Sequence, residues 1–336
     1  MKMTLRILLV AAVALLVFAL AGIGATWAPD KPVEALKARW AQPPSQFIDI
    51  AGLQVHLRDE GPRDDPTPIV LLHGTSASLH TWDGWVQALT PTRRVIRFDL
   101  PAFGLTGPNP QNDYTIASYV KFVTAVADKL GVQRFVLGGN SLGGQVAWET
   151  AVAAPTRVAQ LILVDASGYP LKPESVPIGF ILASLPGAPT LMQYILPRGV
   201  VQSSVQNVYG DKSRVTPALV DWYVDMALRE GNRKALGYRL AQGFASDVRK
   251  ISTLKLPTLI LWGDQDRLIP PENARAFARD IAGAKLVMLA GLGHVPHEED
   301  PARTVAEVKQ FLSIQNPQTA RRHPAPGEPE TSRKPL

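Results

Sequence analysis

Short apolar runs of strand length alternate with longer stretches whose apolar residues recur every three or four positions, and the alternation starts near Phe47. The short runs predict strands at Phe47–Ile50, Leu53–Arg58, Ile69–Leu72, Val95–Phe98, Phe135–Leu137, Leu161–Val164, Thr258–Trp262 and Leu286–Leu289. Between them, Tyr114–Leu130, Leu142–Ala153, Pro271–Ile281 and Pro301–Leu312 carry helical spacing. A hairpin followed by repeated strand–helix units predicts an α/β fold: a mostly parallel, twisted sheet with helices on both faces. From Gly168 to Lys255 prolines, aromatics and helical stretches such as Pro217–Glu230 occur without a clear strand, so this region reads as an insertion into a domain spanning 47–314.

The two ends differ from this pattern. Lys2 and Arg6 precede 23 uncharged positions, Ile7 to Pro29, which as a helix of roughly 35 Å would match a bilayer core. Residues 1–29 are therefore expected to be a membrane anchor, with the basic end inside and the rest of the chain exported to the periplasm or beyond. Ala19-Leu20-Ala21 also offers a small-x-small cleavage site, which would make the segment a signal peptide and the protein secreted. Residues 30–46 read as a polar spacer, and the proline-rich residues 315–336 as a disordered tail.

Composition narrows the classes further. The chain has 336 residues, 46% hydrophobic and 19% charged, enough to build a large core. With no cysteine, disulfide scaffolds, thiolate metal sites and cysteine nucleophiles are excluded. The net charge of +6 would ordinarily raise nucleic acid as a partner. It sits instead on Lys2 and Arg6, the tail, and the insertion, where 11 basic residues face 6 acidic ones, so no nucleic-acid binding is expected.

The sharpest chemical signal is Gly138-Gly139-Asn140-Ser141-Leu142-Gly143-Gly144, directly after one predicted strand and directly before a predicted helix. Gly139-x-Ser141-x-Gly143 is the spacing of a nucleophile elbow, in which small residues two before and two after the serine let strand and helix approach. A serine needs a base, and a histidine held by a carboxylate supplies one. In the order Ser, acid, His, the strand Thr258–Trp262 runs into Asp264 and Asp266, and Leu286–Leu289 runs into Gly293-His294. His294 is the expected base. Asp266 is the expected acid, with Asp165, after Leu161–Val164, as its competitor; Asp264 is expected to satisfy the turn backbone. His73 is expected to shape its loop, His80 to lie near the entrance and His297 to orient a loop. The backbone N–H groups of Thr75 and Leu142 are expected to form the oxyanion hole.

Together, His73-Gly74, Asp99 to Gly104, the elbow, Gly263-x-x-Asp266 with Pro270, and Gly293-His294 with Glu298 and Pro301 resemble the α/β-hydrolase superfamily, in its lidded group of serine esterases and lipases. The resemblance covers roughly Phe47 to Leu312, supports Asp266 as the acid, and implies that 168–255 is a helical cap over the site. It implies hydrolysis of carboxylic esters through an acyl-enzyme, with neither metal nor cofactor required. Apolar cap residues, among them Phe180, Leu191, Met192, Trp222 and Tyr223, favour acyl or aromatic groups in a small-molecule ester. Dehalogenases and epoxide hydrolases of the superfamily carry an aspartate where this chain has Ser141. The same motifs also resemble serine hydrolases that cleave carbon–carbon bonds in ring-fission products, the nearest alternative. A catalytically inactive binding module is the alternative of another class, opposed by the intact order of Ser141, Asp266 and His294.

Overall fold

In the computed structural model, one eight-stranded sheet runs in the order β1-β2-β4-β3-β5-β6-β7-β8. The structure describes residues 2–314 except 171, 186, 188–192 and 244–245; the expected tail, Leu191 and Met192 lie outside the described residues. The strands are β1 (Gln46–Ile50), β2 (Leu53–Glu60), β3 (Ile69–Leu72), β4 (Val95–Phe98), β5 (Phe135–Asn140), β6 (Val158–Val164), β7 (Thr258–Gly263) and β8 (Lys285–Leu289). β2 pairs antiparallel with β1 and β4, and every other neighbour is parallel. All eight predicted strands are present. The central ones, β3 to β7, are almost wholly buried, as expected of strands covered on both faces.

The described helices, numbered in chain order, begin with α1 (Lys2–Thr26), α2 (Val33–Trp40), α3 (Asp83–Leu89), α4 (Ile116–Lys129) and α5 (Leu142–Ala153). α6 (Ile178–Ala183), α7 (Arg198–Val208), α8 (Pro217–Leu228) and α9 (Asn232–Ala241) lie in the insertion between β6 and β7. α10 (Glu272–Asp280), α11 (Pro296–Glu299) and α12 (Pro301–Ile314) complete the fold. α4 shows why such helices form: Thr115 caps its first turn by accepting from Ser118 N, and Ile116, Tyr119, Phe122, Val123 and Val126 make one buried stripe. α5 is buried nearly all round because it packs under β5 beside the site.

The stretch expected as a spacer is instead a strap on the cap. Asp30 accepts from Arg233 Nε at 3.0 Å and from Gly231 N, while Asp225 of α8 receives Lys31, Arg39 and Trp40 at 2.8 to 2.9 Å. Leu36 is buried against Leu105, Trp222 and Met226. The charges that made this stretch look solvated are ion-pair partners for half-buried and buried cap residues. Just before it, Trp27 stacks on Tyr194 with ring centres 5.5 Å apart. The expected membrane span falls partly on positions whose side chains lie outside the described set (2, 5, 18–21, 23 and 25), and among the described residues no helix is long and apolar enough to cross a membrane.

Candidate active site

Ser141 sits between β5 and α5 with φ 54° and ψ −118°, a left-handed backbone unusual for a residue with a side chain. The flanking glycines make this turn possible. A Cβ on Gly139 would stand 2.2 Å from Gly143 O, and one on Gly143 would stand 2.3 Å from Leu72 O. Both contacts are with backbone, so neither neighbour can move aside cheaply. The turn leaves Ser141 at the carboxyl ends of the parallel strands, where sites in open α/β sheets collect.

His294, on the loop after β8, bonds through Nδ1 to Asp266 Oδ2 at 2.7 Å. Asp266, on the loop after β7, also accepts Leu268 N and Ile269 N on Oδ1, both at 2.9 Å. Three N–H donors suit a carboxylate and fix its orientation. Asp165, the competitor for the acid, does not bond the imidazole; its Oδ1 accepts Gly263 N at 3.0 Å. Asp264 accepts Gly291 N at 2.8 Å and so closes a turn, as expected.

Ser141, His294 and Thr75 line one cavity of about 130 Å³. Phe180, Leu196, Val201, Val205 and Leu236 from the cap make much of its wall. Ser141 Oγ makes no hydrogen bond to His294 here; such catalytic contacts often tighten only when the reacting group is in place. Leu142 begins α5, so its N–H points out of the helix start beside the serine. Of the expected cap aromatics, Phe180 and Tyr223 reach the cavity, whereas Trp222 is buried in the cluster with Leu36.

The other described histidines hold loops and strands together. His73 is buried, bonding Gly74 O through Nδ1 and accepting Leu100 N on Nε2, and burial lowers its pKa. It therefore ties the Thr75 loop to the loop after β4. His80, expected near the entrance, is not among the residues lining the cavity: it bonds Ser78 Oγ and Trp40 O, under the strap. His297 bonds Thr81 Oγ1 and lies over Trp82, and burial, with His294 nearby, brings its pKa down to about 3.

Two site residues escape sequence reasoning. Asn140 donates from Nδ2 to Val164 O and to His294 O, clamping the histidine loop to the elbow. Glu299 accepts Gly293 N and Gly210 N, joining that loop to the end of α7. A polar residue within an apolar strand end was the available signal for Asn140; Glu299 offered none, since its partners are set by the cap.

Asp165, Asp266 and His294 bring possible metal-ligand atoms within 4.8 Å of one another. The oxygens of Asp266 already take three N–H groups, so the set is arranged for hydrogen bonding to an imidazole.

Residues 67–301 match the family model described as alpha/beta hydrolase fold. The 2-hydroxymuconate semialdehyde hydrolase of Pseudomonas sp. (strain CF600) is 27% identical over 277 residues, 79% of this chain and 93% of the relative. A membrane phospholipase A, described as a bacterial virulence factor, is 25% identical with a TM-score of 0.69, over 94% of this chain and 100% of that one. A meta-cleavage product hydrolase from Pseudomonas fluorescens IP01 shares the fold at 23% identity, with a TM-score of 0.71 over 81% of this chain and 98% of that one.

Proposed function

Because the chain belongs to the alpha/beta hydrolase fold family, we propose that it is a serine hydrolase that cleaves carboxylic esters with apolar acyl or aromatic groups. The observation that carries this reading is the apolar cavity opening onto Ser141 and the Asp266-bound His294. Ser141 Oγ attacks the ester carbonyl, and His294 takes its proton and returns it to the leaving alcohol. Asp266 holds the imidazole with Nδ1–H facing it, which leaves Nε2 as the base. The amides of Thr75 and Leu142 receive the oxyanion. Water then repeats the sequence on the acyl-enzyme. Ser141→Ala is expected to abolish both turnover of a p-nitrophenyl ester and labelling by a fluorophosphonate. Labelling that persists at another residue sinks the assignment.

Carbon–carbon hydrolysis of a ring-fission product is the second reading, favoured by the 2-hydroxymuconate semialdehyde hydrolase relative. A panel of esters of graded acyl length with one ring-fission dienoate separates the two; cleavage of the dienoate alone overturns the ester reading.

The same proposal includes an N-terminal anchor with the catalytic domain exported. Its support is the uncharged run Ile7–Pro29 behind Lys2 and Arg6, and a likeness to a membrane phospholipase A that extends over 94% of this chain. Recovery of the full chain in the soluble fraction of its host, uncleaved, would contradict it.

A further inference from the structure

Asp165 is a buried carboxyl beside the triad to which the mechanism above gives no task. It follows β6 with φ 44°, left-handed backbone that a residue with a side chain adopts only at a cost. Its own N–H donates to Leu261 O, and its Oδ1 accepts Gly263 N, so both bonds fasten it to β7, the strand that leads into Asp266. Its Oδ2 is buried and meets no donor among the described residues. Yet one oxygen of Asp165, one of Asp266 and a ring nitrogen of His294 all lie within 4.8 Å of one another.

Two ionised carboxylates at this range, out of water, repel strongly, so one of them holds a proton. Asp266 has three N–H donors and Asp165 has one, so the negative charge is better solvated on Asp266. Burial, and then the charge of Asp266, raise the Asp165 pKa well above the ordinary carboxyl range, and Glu299 acts in the same direction. The titratable groups around Asp165 are thus Asp266 and Glu299, both acidic, and the His294 imidazole, which has a ring nitrogen within 4.8 Å of both aspartates' carboxyl oxygens.

We propose that Asp165 is a neutral carboxylic acid whose Oδ2–H donates to Asp266, a positioning residue that fixes the triad acid and keeps a single negative charge behind His294. The proton stays on Asp165 throughout turnover. Its value to the reaction is a balance: one carboxylate steadies the imidazolium, whereas two would hold it so firmly that it returns its proton to the leaving group slowly. The proposal rests on the triad reading, but part of its test does not.

The test uses the full chain. Difference infrared spectroscopy between the wild type and Asp165→Asn at neutral pH is expected to show the carbonyl stretch of a protonated carboxyl that the variant lacks. Asp165→Asn keeps a neutral donor and an acceptor, so kcat/KM for a p-nitrophenyl ester should stay within about threefold, with the acidic limb of its pH profile unmoved. Asp165→Ala removes the donor to Asp266; kcat/KM should fall about tenfold and the limb move up by about half a pH unit. A missing carboxyl band overturns the proposal. So does an Asp165→Ala limb that stays in place while thermal stability falls, which is what a residue shaping only the turn would give. Should Asp165→Ala not fold, the infrared result and the Asp165→Asn profile decide. A Ser141→Ala enzyme that still turns over would sink the triad reading while leaving the infrared result standing.

Discussion

Left-handed backbone at Ser141 persists because β5 and α5 hold it from both sides, and Gly139 and Gly143 leave no side chain in the way. Gly143→Ala forces a methyl against the Leu72 carbonyl, and β3 must shift to admit it. The expected cost is about 1–3 kcal/mol in urea unfolding, as for other overpacked sites. A drop of at least about tenfold in kcat on the same ester should accompany it, since β3 leads into the Thr75 loop. Unchanged kcat would mean that the elbow tolerates displacement and that its tight packing is incidental. The elbow was legible in the sequence because its steric demand is local, set by residues two positions either side of the serine. Asn140 and Asp165 were not legible in their roles. Asn140 stands next to Ser141, but its acceptors are the carbonyls of Val164 and His294, and nothing in the local pattern points to them.

Elements are joined through buried polar residues as much as through apolar contact. Asp99, after β4, accepts Leu79 N, Leu105 N and His56 Nδ1, linking β2, the loop before α3 and the tight turn that follows β4. Burial opposes its ionisation, but His56, its hydrogen bond and the other histidines prevail, and its pKa falls to about 2. A depressed carboxyl stabilises the fold fully above its unfolded value, and that stabilisation is lost as the pH falls toward the folded value. The wild type is therefore expected to exceed Asp99→Asn in stability by an amount that shrinks as pH drops from about 5 to about 2, by roughly 2 kcal/mol in all. Parallel denaturant titrations check this; a constant gap would remove the linkage. Ser45, His56 and Asp99 even repeat the residue types of the triad, with Ser45 Oγ 2.9 Å from His56 Nε2. None of the three lines the described cavity, so the same residue types serve there to fasten the hairpin. Strands and long helices were legible from periodicity, whereas α2 and α3 were missed because eight and seven residues give too few repeats to distinguish a stripe.

Across the whole molecule, the strap binds the cap by charge. Arg233 is 2% exposed and Asp30 is the carboxylate beside it, so Asp30→Ala leaves a buried guanidinium without its counter-ion. The expected loss is roughly 3 kcal/mol, reduced somewhat because Asp30 keeps partial contact with water. Thermal unfolding should show it, together with a weaker KM for long acyl esters, because Arg233 and Leu236 also border the cavity. A variant with unaltered melting would show that the strap only lies on the cap. The α/β class, the strand positions, the place of the insertion and the order Ser141, Asp266, His294 can all be read along the chain. Those follow from local periodicity, from turn sterics and from the rule that sites gather at strand carboxyl ends. It takes the folded chain to bring Asp266 rather than Asp165 to the imidazole, to set Asn140 and Glu299 on the histidine loop, and to lay residues 30–46 against the insertion. Each of these depends on which polar groups are brought together out of water, and distances of that kind belong to the folded chain and leave no periodic trace along it.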